Sequence, residues 1–217
     1  QTLVPPAITI GLYFVIFGNL VGRRIGEMGG FQYMEFIVPG LIMMSVIQNS
    51  YSNVVSSFFS HKFQHSVEEL LVSPVPNYII LCGFIVGGMA RGLAVGTIVT
   101  MMSLFFADLE IQNLFITITV VLLTSIVFAL AGFINALFAN SFDDISIIPT
   151  FVLTPLIYLG GVFYSVELLP PFWKFVSALN PIFYMVNTFR YGILGTSDVD
   201  ITWAFFILGV FIAILFT

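Results

Sequence analysis

Apolar residues in this chain come in long unbroken runs rather than at spaced positions. Six such runs can be drawn, over residues 3–21, 36–58, 77–107, 113–138, 145–164 and 201–217. Taken as helices rising 1.5 Å per residue, they have the length needed to cross about 30 Å of hydrocarbon. Barrel strands would instead alternate polar and apolar over roughly ten residues at a time. The expected fold is therefore an all-α polytopic membrane protein with six transmembrane helices. The third run, at 31 residues, exceeds the bilayer thickness and is expected to tilt or to project from it.

Two interruptions depart from this scheme. The first is HKFQHSVEELLVSPVP, His61 to Pro76. Within it Phe63, Val67, Leu70 and Leu71 recur at i, i+4, i+7 and i+8, one stripe of a helix, while Lys62, Gln64, Glu68 and Glu69 cover the rest. Ser73-Pro74 closes it, because the residue before a proline avoids helical geometry. This predicts a short amphipathic helix over about 61–72, lying along the membrane between spans two and three. Membrane-surface helices usually present cations to anionic lipid. An acidic Glu68-Glu69 end suits docking to a protein better.

The second interruption follows span five. Residues 165–200 are too apolar for an ordinary exposed loop, yet Pro170, Pro171 and Pro181 divide them into pieces of about a dozen residues. Irregular backbone at membrane depth is tolerated only where protein buries it or where it lines a cavity. The expectation is a re-entrant pair of helices within about 171–194, the first from Pro171 to Leu179 and the second from Pro181 to about Leu194. Asn180 would be the N-cap of the second, with Pro181 in its first turn.

Composition agrees with the runs. Of 217 residues 59% are hydrophobic and 8% charged, against roughly a quarter charged in soluble domains. Eleven acids and six bases give a net charge of −5, and no basic stripe exists for a nucleic acid to follow. Cys82 is the single cysteine, which excludes an intrachain disulfide and a cysteine metal cluster. Residues 3–21 have no bases before them and are expected to be a span rather than a signal peptide. The final FFILGVFIAILFT is apolar to its last residue, and charged residues are expected beyond both ends.

Little chemistry is built into the chain. GxxxxGK[ST] requires a Gly-Lys pair and none occurs. His61 and His65 could share a helix face, but two ligands do not close a zinc site. Arg91 stands in GGMARGLAVG within the third run. A charge at the bilayer centre costs about 3 kcal/mol on insertion scales, so it should face the bundle or snorkel to an interface. A structural and a transport role are both open. Gly88, Gly92 and Gly96, like Gly83 and Gly87, form ridges that allow close helix packing, within one subunit first and between subunits second. Asp143 and Asp144 precede span five, where acids meet the positive end of a helix; they are also candidates for a second contact to a partner. Pro149 and Pro155 should kink span five, with Thr150 and Thr154 placed to satisfy the freed carbonyls. Tyr158, Phe163, Tyr164, Phe172 and Trp173 gather near one expected mouth, as an interfacial belt or as walls of an exit path.

In order along the chain, YMEFIVPGLIMM, HSVEELLVSPVP and PTFVLTPLIYLGGVFYSVELLPPFWKFVSALNPIFYMVNTFRYG resemble the membrane subunit of type-2 ABC exporters, the ABC-2 permeases. The resemblance is to the small bacterial inner-membrane permeases of drug, lipid and polysaccharide export, and covers nearly the whole chain. It rests on Pro39-Gly40, Glu69-Leu70-Leu71 before Ser73-Pro74, Leu169-Pro170, Trp173, Asn180-Pro181, Tyr184 and Arg190 taken together. It implies that the amphipathic segment is a coupling helix set in a groove of a cytoplasmic ATPase, with Glu68, Glu69, Leu70 and Leu71 as the contact and Phe63, Val67, Asp143 and Asp144 beside it. It further implies an outward-side re-entrant pair, with Tyr158, Phe163, Tyr164, Phe172, Trp173, Tyr184 and Arg190 on the path or outer gate. ATP and Mg would belong to two copies of the ATPase, and no cofactor to this chain. Two permease copies, expected as a homodimer in the bacterial inner membrane, would give twelve spans around a path shaped by spans one, two and five. Both termini would be cytoplasmic. The charge count points the other way, since that orientation leaves only Lys62 inside and puts Arg23, Arg24, Lys174 and Arg190 outside. The alternatives are a gradient-driven carrier or lipid scramblase, and a scaffold without transport. Carriers place acids inside their spans, and here nearly all acids sit at span ends.

Overall fold

The computed structural model describes residues 4–107 and 109–216, with the backbone alone at residues 19, 20, 21 and 23. Helix α1 (Val4–Tyr13) runs through a π-helical stretch, Phe14–Val21, into α2 (Gly22–Ile25). A two-residue hairpin follows, β1 (Glu27–Met28) antiparallel to β2 (Phe31–Gln32), turning through Gly29 and Gly30 at positive φ. Gln32 and Glu35 then form a capping box that starts α3 (Tyr33–Phe63). This helix has 31 residues, about 46 Å at the usual rise, and extends past the expected 36–58 at both ends.

Helix α3 is the centre of the molecule. Ile37, Val38, Leu41, Met43, Val46, Ile47 and Val54 are all fully buried, on faces too varied for one stripe, as expected of a helix surrounded by others. On one side it meets α5 (Asn77–Ser103), and on another α6 (Leu114–Phe138). Glycine makes both approaches possible. A Cβ on Gly92 would fall on the Ser50 side chain and 3.2 Å from Val46 O, and one on Gly132 would stand 2.6 Å from Tyr51 O. The Gly88, Gly92 and Gly96 ridge is thus an intrasubunit contact against Val46, Ser50 and Val54.

Between α3 and α5 lies α4 (Ser66–Val72). The single amphipathic helix expected over 61–72 is corrected here. Helix α3 continues to Phe63, and His65 takes a left-handed conformation, φ +59°, which breaks the helix before Ser66. Phe63 and Leu71 therefore belong to different helices. At the far end Ser73 is extended before Pro74. The third run is also shorter than expected: α5 has 27 residues, because Leu104 to Phe106 leave the helix in a turn.

Span five is not one regular helix. Helix α7 (Asp144–Ile148), a π-helical turn (Pro149–Leu153) and α8 (Thr154–Leu159) follow one another. Pro149 and Pro155 each lack the N–H that an α-helical ladder needs. Thr154 N–H and Oγ1 both turn to Pro149 O, the hydroxyl at 2.8 Å, while the carbonyl that Pro149 leaves free, Ile145 O, accepts Asn135 Nδ2 at 3.2 Å. After a turn at Gly160-Gly161 and a short 3₁₀ turn (Val166–Leu168) come α9 (Pro171–Ala178) and α10 (Pro181–Leu194). Asn180 Oδ1 accepts the Ile182 N–H at 3.0 Å as the N-cap of α10. Gly195, at φ +76°, ends it. Helix α11 (Ile201–Phe216) begins on Asp200, whose Oδ1 accepts the Thr202 N–H at 2.8 Å.

Apolar side chains cover the outside as well as the core. Phe105, Phe115, Phe138 and Phe151 are each more than 70% exposed, a surface suited to hydrocarbon rather than to water. Helices α5 and α6 have the length and apolarity to cross a bilayer. The molecule is an all-α membrane protein.

Candidate functional site

Chain connectivity puts the C-terminus of α3, all of α4, the C-terminus of α6 and the start of α7 at one end. Side chains then tie them together. Lys62 Nζ, on the last turn of α3, donates to Leu137 O and Ala139 O, both at 2.7 Å. These are unpaired carbonyls at the C-terminus of α6, where a cation is favoured. The Phe59, Phe63 and Phe142 rings form a second tie, with centroids 4.9 Å apart for Phe59 and Phe142 and 5.1 Å for Phe63 and Phe142. Asp144 closes the turn before α7. Its Oδ2 accepts the N–H groups of Asn140 (2.9 Å) and Ser141 (3.0 Å). The Asn140 bond first, then those to Ser141, hold its carboxyl below the usual carboxylate range.

The last turn of α3, with Phe63, and the segment 137–142 that leads to Asp143 and Asp144 are therefore neighbours. Within α4 the split between faces is clear. Val67 packs against the hydrophobic core and Leu70 is half-buried, while Glu68, Glu69, Leu71 and Val72 point outward. Leu71 is 58% and Val72 87% exposed, and Phe63 beside them 62%. The face thus pairs exposed carboxylates with exposed apolar side chains. The sequence does not single out Phe59 or Phe142, and gives Lys62 only to the polar face of the expected helix and to the charge count. The i, i+4 spacing of Phe59 and Phe63 was visible there, but the ring that joins them comes from 79 residues further on and was not.

At the other end the expected path residues divide into separate groups. Tyr158 stacks on Phe163 at 5.6 Å, and Phe163 meets Phe17 at 5.0 Å and Tyr13 at 6.0 Å. This cluster joins the first apolar run to the end of span five, and Tyr13 and Phe17 are members that the sequence did not single out. Tyr33 donates its hydroxyl to Phe163 O at 3.2 Å. Phe172 and Trp173 form an edge-to-face pair, both exposed, on α9. Tyr184 donates to Ala178 O at 2.8 Å, bracing α10 against α9. Tyr164 is half-buried and joins none of these ring clusters.

Arg190 is not on an open wall. It is 1% exposed, beneath the Gly160-Gly161 turn. Its Nη2 donates to Gly161 O at 2.7 Å, Nη1 to Asn187 Oδ1 at 3.3 Å and Nε to Phe36 O at 3.4 Å, and its guanidinium lies 3.9 Å from the Phe36 ring centroid. Asn187 Oδ1 also accepts the Asp198 N–H, and Asp198 accepts the Ser165 hydroxyl. One arginine thus fastens the start of α3, the turn after α8, α10 and the loop before α11. Its role here is to position that end of the molecule.

The architecture is a bundle of apolar helices, with broken helices at one end and a charged helix at the other. The chain belongs to the ABC-2 type transporter family, whose pattern it matches over residues 1–194. It is 62% identical over 213 residues to the inner membrane transport permease YadH of Escherichia coli strain K12, spanning 98% of this chain and 83% of that protein. It is 25% identical over 206 residues to nodulation protein J of Neorhizobium galegae, spanning 92% of this chain and 79% of that one. Nodulation protein J of Rhizobium meliloti strain 1021 is 23% identical over 191 residues, covering 88% and 73%.

Proposed function

We propose that the chain is the permease of an ATP-driven exporter in the bacterial inner membrane. In this reading six spans cross the bilayer, with the first apolar run, α3, α5, α6, the α7–α8 segment and α11 as the spans. Helices α9 and α10 form the re-entrant pair on the outer side, and α4 is the coupling helix on the cytoplasmic side, where both termini also lie. Two copies of the chain pair, and each receives one ATPase subunit that carries ATP and Mg. The cargo is apolar or amphipathic, a drug, a lipid or a lipid-linked glycan, since the spans are built mostly of aliphatic and aromatic groups and carry few charges.

The observation that supports this best is the face formed by α4, Phe63 and the turn before α7. It presents Glu68 and Glu69 between exposed apolar side chains. Lys62 and Phe142 join the ends of α3 and α6 and the turn before α7, and α4 is held to the last turns of α3 through Ser66 Oγ, which donates to His61 O at 3.1 Å, and to the core through Val67. A partner that moves α4 therefore moves those spans with it, which is what transmission between two states requires. Glu69 is exposed and contributes nothing to the core, so Glu69→Arg should leave membrane insertion and folding unchanged. In proteoliposomes with the ATPase it should lower transport at least tenfold, while ATP hydrolysis ceases to respond to cargo. Undiminished cargo-stimulated hydrolysis in that variant would remove the coupling role from α4.

A further inference from the structure

Helices α5 and α6 touch at one level and part at another. A Cβ on Gly88 would stand 3.2 Å from Ala129 Cβ, so the two backbones are in close contact there. From Leu93 on α5 and Leu122 on α6 toward the end opposite α4, a slot of about 670 Å³ lies between them. Ile42 and Val46 of α3, both buried, close it behind. At its far end the segment before α6 is tied to α10, where Gly192 O accepts the Asn113 N–H at 2.8 Å and Ile193 O the Gln112 N–H at 3.3 Å. The slot therefore opens sideways, between two helices that have the length and apolarity to cross a bilayer. None of its lining residues precedes Ile42 or follows Ile193.

Its chemistry is uniform. Apart from Gly96, the three threonines are its only lining residues that are not large and apolar. Each hydroxyl is turned back to a carbonyl near its own position: Thr97 to Leu93 O at 2.8 Å, Thr100 to Gly96 O at 2.8 Å and Thr117 to Asn113 O at 2.9 Å. No polar group is left to orient water, and an apolar cavity of this kind stays dry. Left empty, its walls would forgo their dispersion contacts on one side. Leu114 and Leu122 mark its extent along α6, about 12 Å at the usual rise. That interval starts at the polar residues Gln112 and Asn113, both exposed, and descends into the apolar part of the helix. The slot is continuous with the hydrocarbon-facing surface through Met101 and Ile118, which line it and are more than half exposed.

We infer that this slot holds one acyl chain of a resident bilayer phospholipid, whose head lies level with Gln112 and Asn113 at the membrane surface. Only the chain enters, because the walls offer nothing to a polar group. The medium at the mouth is lipid hydrocarbon, which supplies chains at all times. Helices α5 and α6 are also the third and fourth spans of the proposed function, whereas the path is expected at spans one, two and five. The site stands whether or not α4 docks an ATPase.

The test reconstitutes the full-length protein in phosphatidylcholine vesicles containing a phosphatidylcholine with a diazirine midway along one acyl chain. The protein is extracted and washed in excess mild detergent, which strips loosely held lipid, and only then irradiated. The retained probe should label residues 93–101 of α5 and 114–122 of α6. Thr97→Trp and Ile118→Trp each place an indole in the slot from an exposed position, one on each wall. Either should lower that label by about tenfold or more, the loss that displacing two buried methylenes already supplies. If one of these variants fails to fold, the other answers the question. Phe115→Trp, exposed outside the slot, should retain the label in full. Absence of label from both stretches in the native protein, or undiminished label in the filled variants, overturns the inference. Label that falls while the intact complex hydrolyses ATP would mark the occupant as cargo and overturn it as well.

Discussion

Gly92 and Arg190 show how single side chains set the packing. A side chain at Gly92 would overlap Ser50 across the α3–α5 contact, and the nearby backbone of α3 cannot move without disturbing the rest of the bundle. Gly92→Val should therefore destabilise the protein by about 1–3 kcal/mol, the usual penalty for overpacking. A lowered midpoint in thermal unfolding from detergent is the expected result. An unchanged midpoint would mean that α5 is looser against α3 than the structure has it. Arg190→Gln should be as serious for a different reason. It strips the Gly161 and Phe36 carbonyls of a buried charged donor, a loss of about 1.5–3 kcal/mol per bond of this kind. Because Arg190 sits beneath the turn rather than on a path, the variant should lose stability before it loses selectivity. A variant with native stability and altered cargo preference would return Arg190 to the path.

Helices were legible in the sequence where one local rule determined them, and less so where distant parts had to meet. The length of the apolar runs gave α5 and α6, proline spacing gave α9 and α10, and Asn180 capped the latter as its side chain requires. The break between α3 and α4 was hidden, because Gln64 and His65 continue an apparently helical stripe and only the left-handed backbone at His65 interrupts it. For the same reason the sequence placed Phe63, Val67, Glu68, Glu69, Leu70 and Leu71 in one helix, whereas Phe63 ends α3 and the others lie in α4. Aromatic residues gathered by position near one mouth turned out to be divided among clusters, since sequence proximity says nothing about which ring faces which. Span five allows a direct test. Its π-helical turn exists because Pro149 and Pro155 withhold two N–H donors, so Pro149→Ala with Pro155→Ala should restore a regular helix through Leu159. Spin labels near residues 145 and 158 should then report a narrower distance distribution, and transport should fall if this turn bends during the cycle. An unchanged distribution would assign the π turn to packing instead.

The described residues divide into two ends around α3, which touches both. The Arg190 network fastens one end, and Lys62 with Phe59, Phe63 and Phe142 fastens the other. In the proposed function, a displacement of α4 would reach the far end through α3, a single helix of 31 residues. Twelve spans in a homodimer, each copy engaged by an ATPase through α4, follow from the same proposal. The measurement that decides it is co-purification: the tagged full-length protein is extracted from native membranes in mild detergent, alongside a variant carrying Glu68→Arg and Glu69→Arg. The proposal predicts a stoichiometric ATPase with a phosphate-binding loop beside the native protein and its loss from the variant, while both elute from size exclusion with the same two permease copies. A native protein that emerges without any ATPase, under conditions where known membrane complexes stay intact, would contradict it.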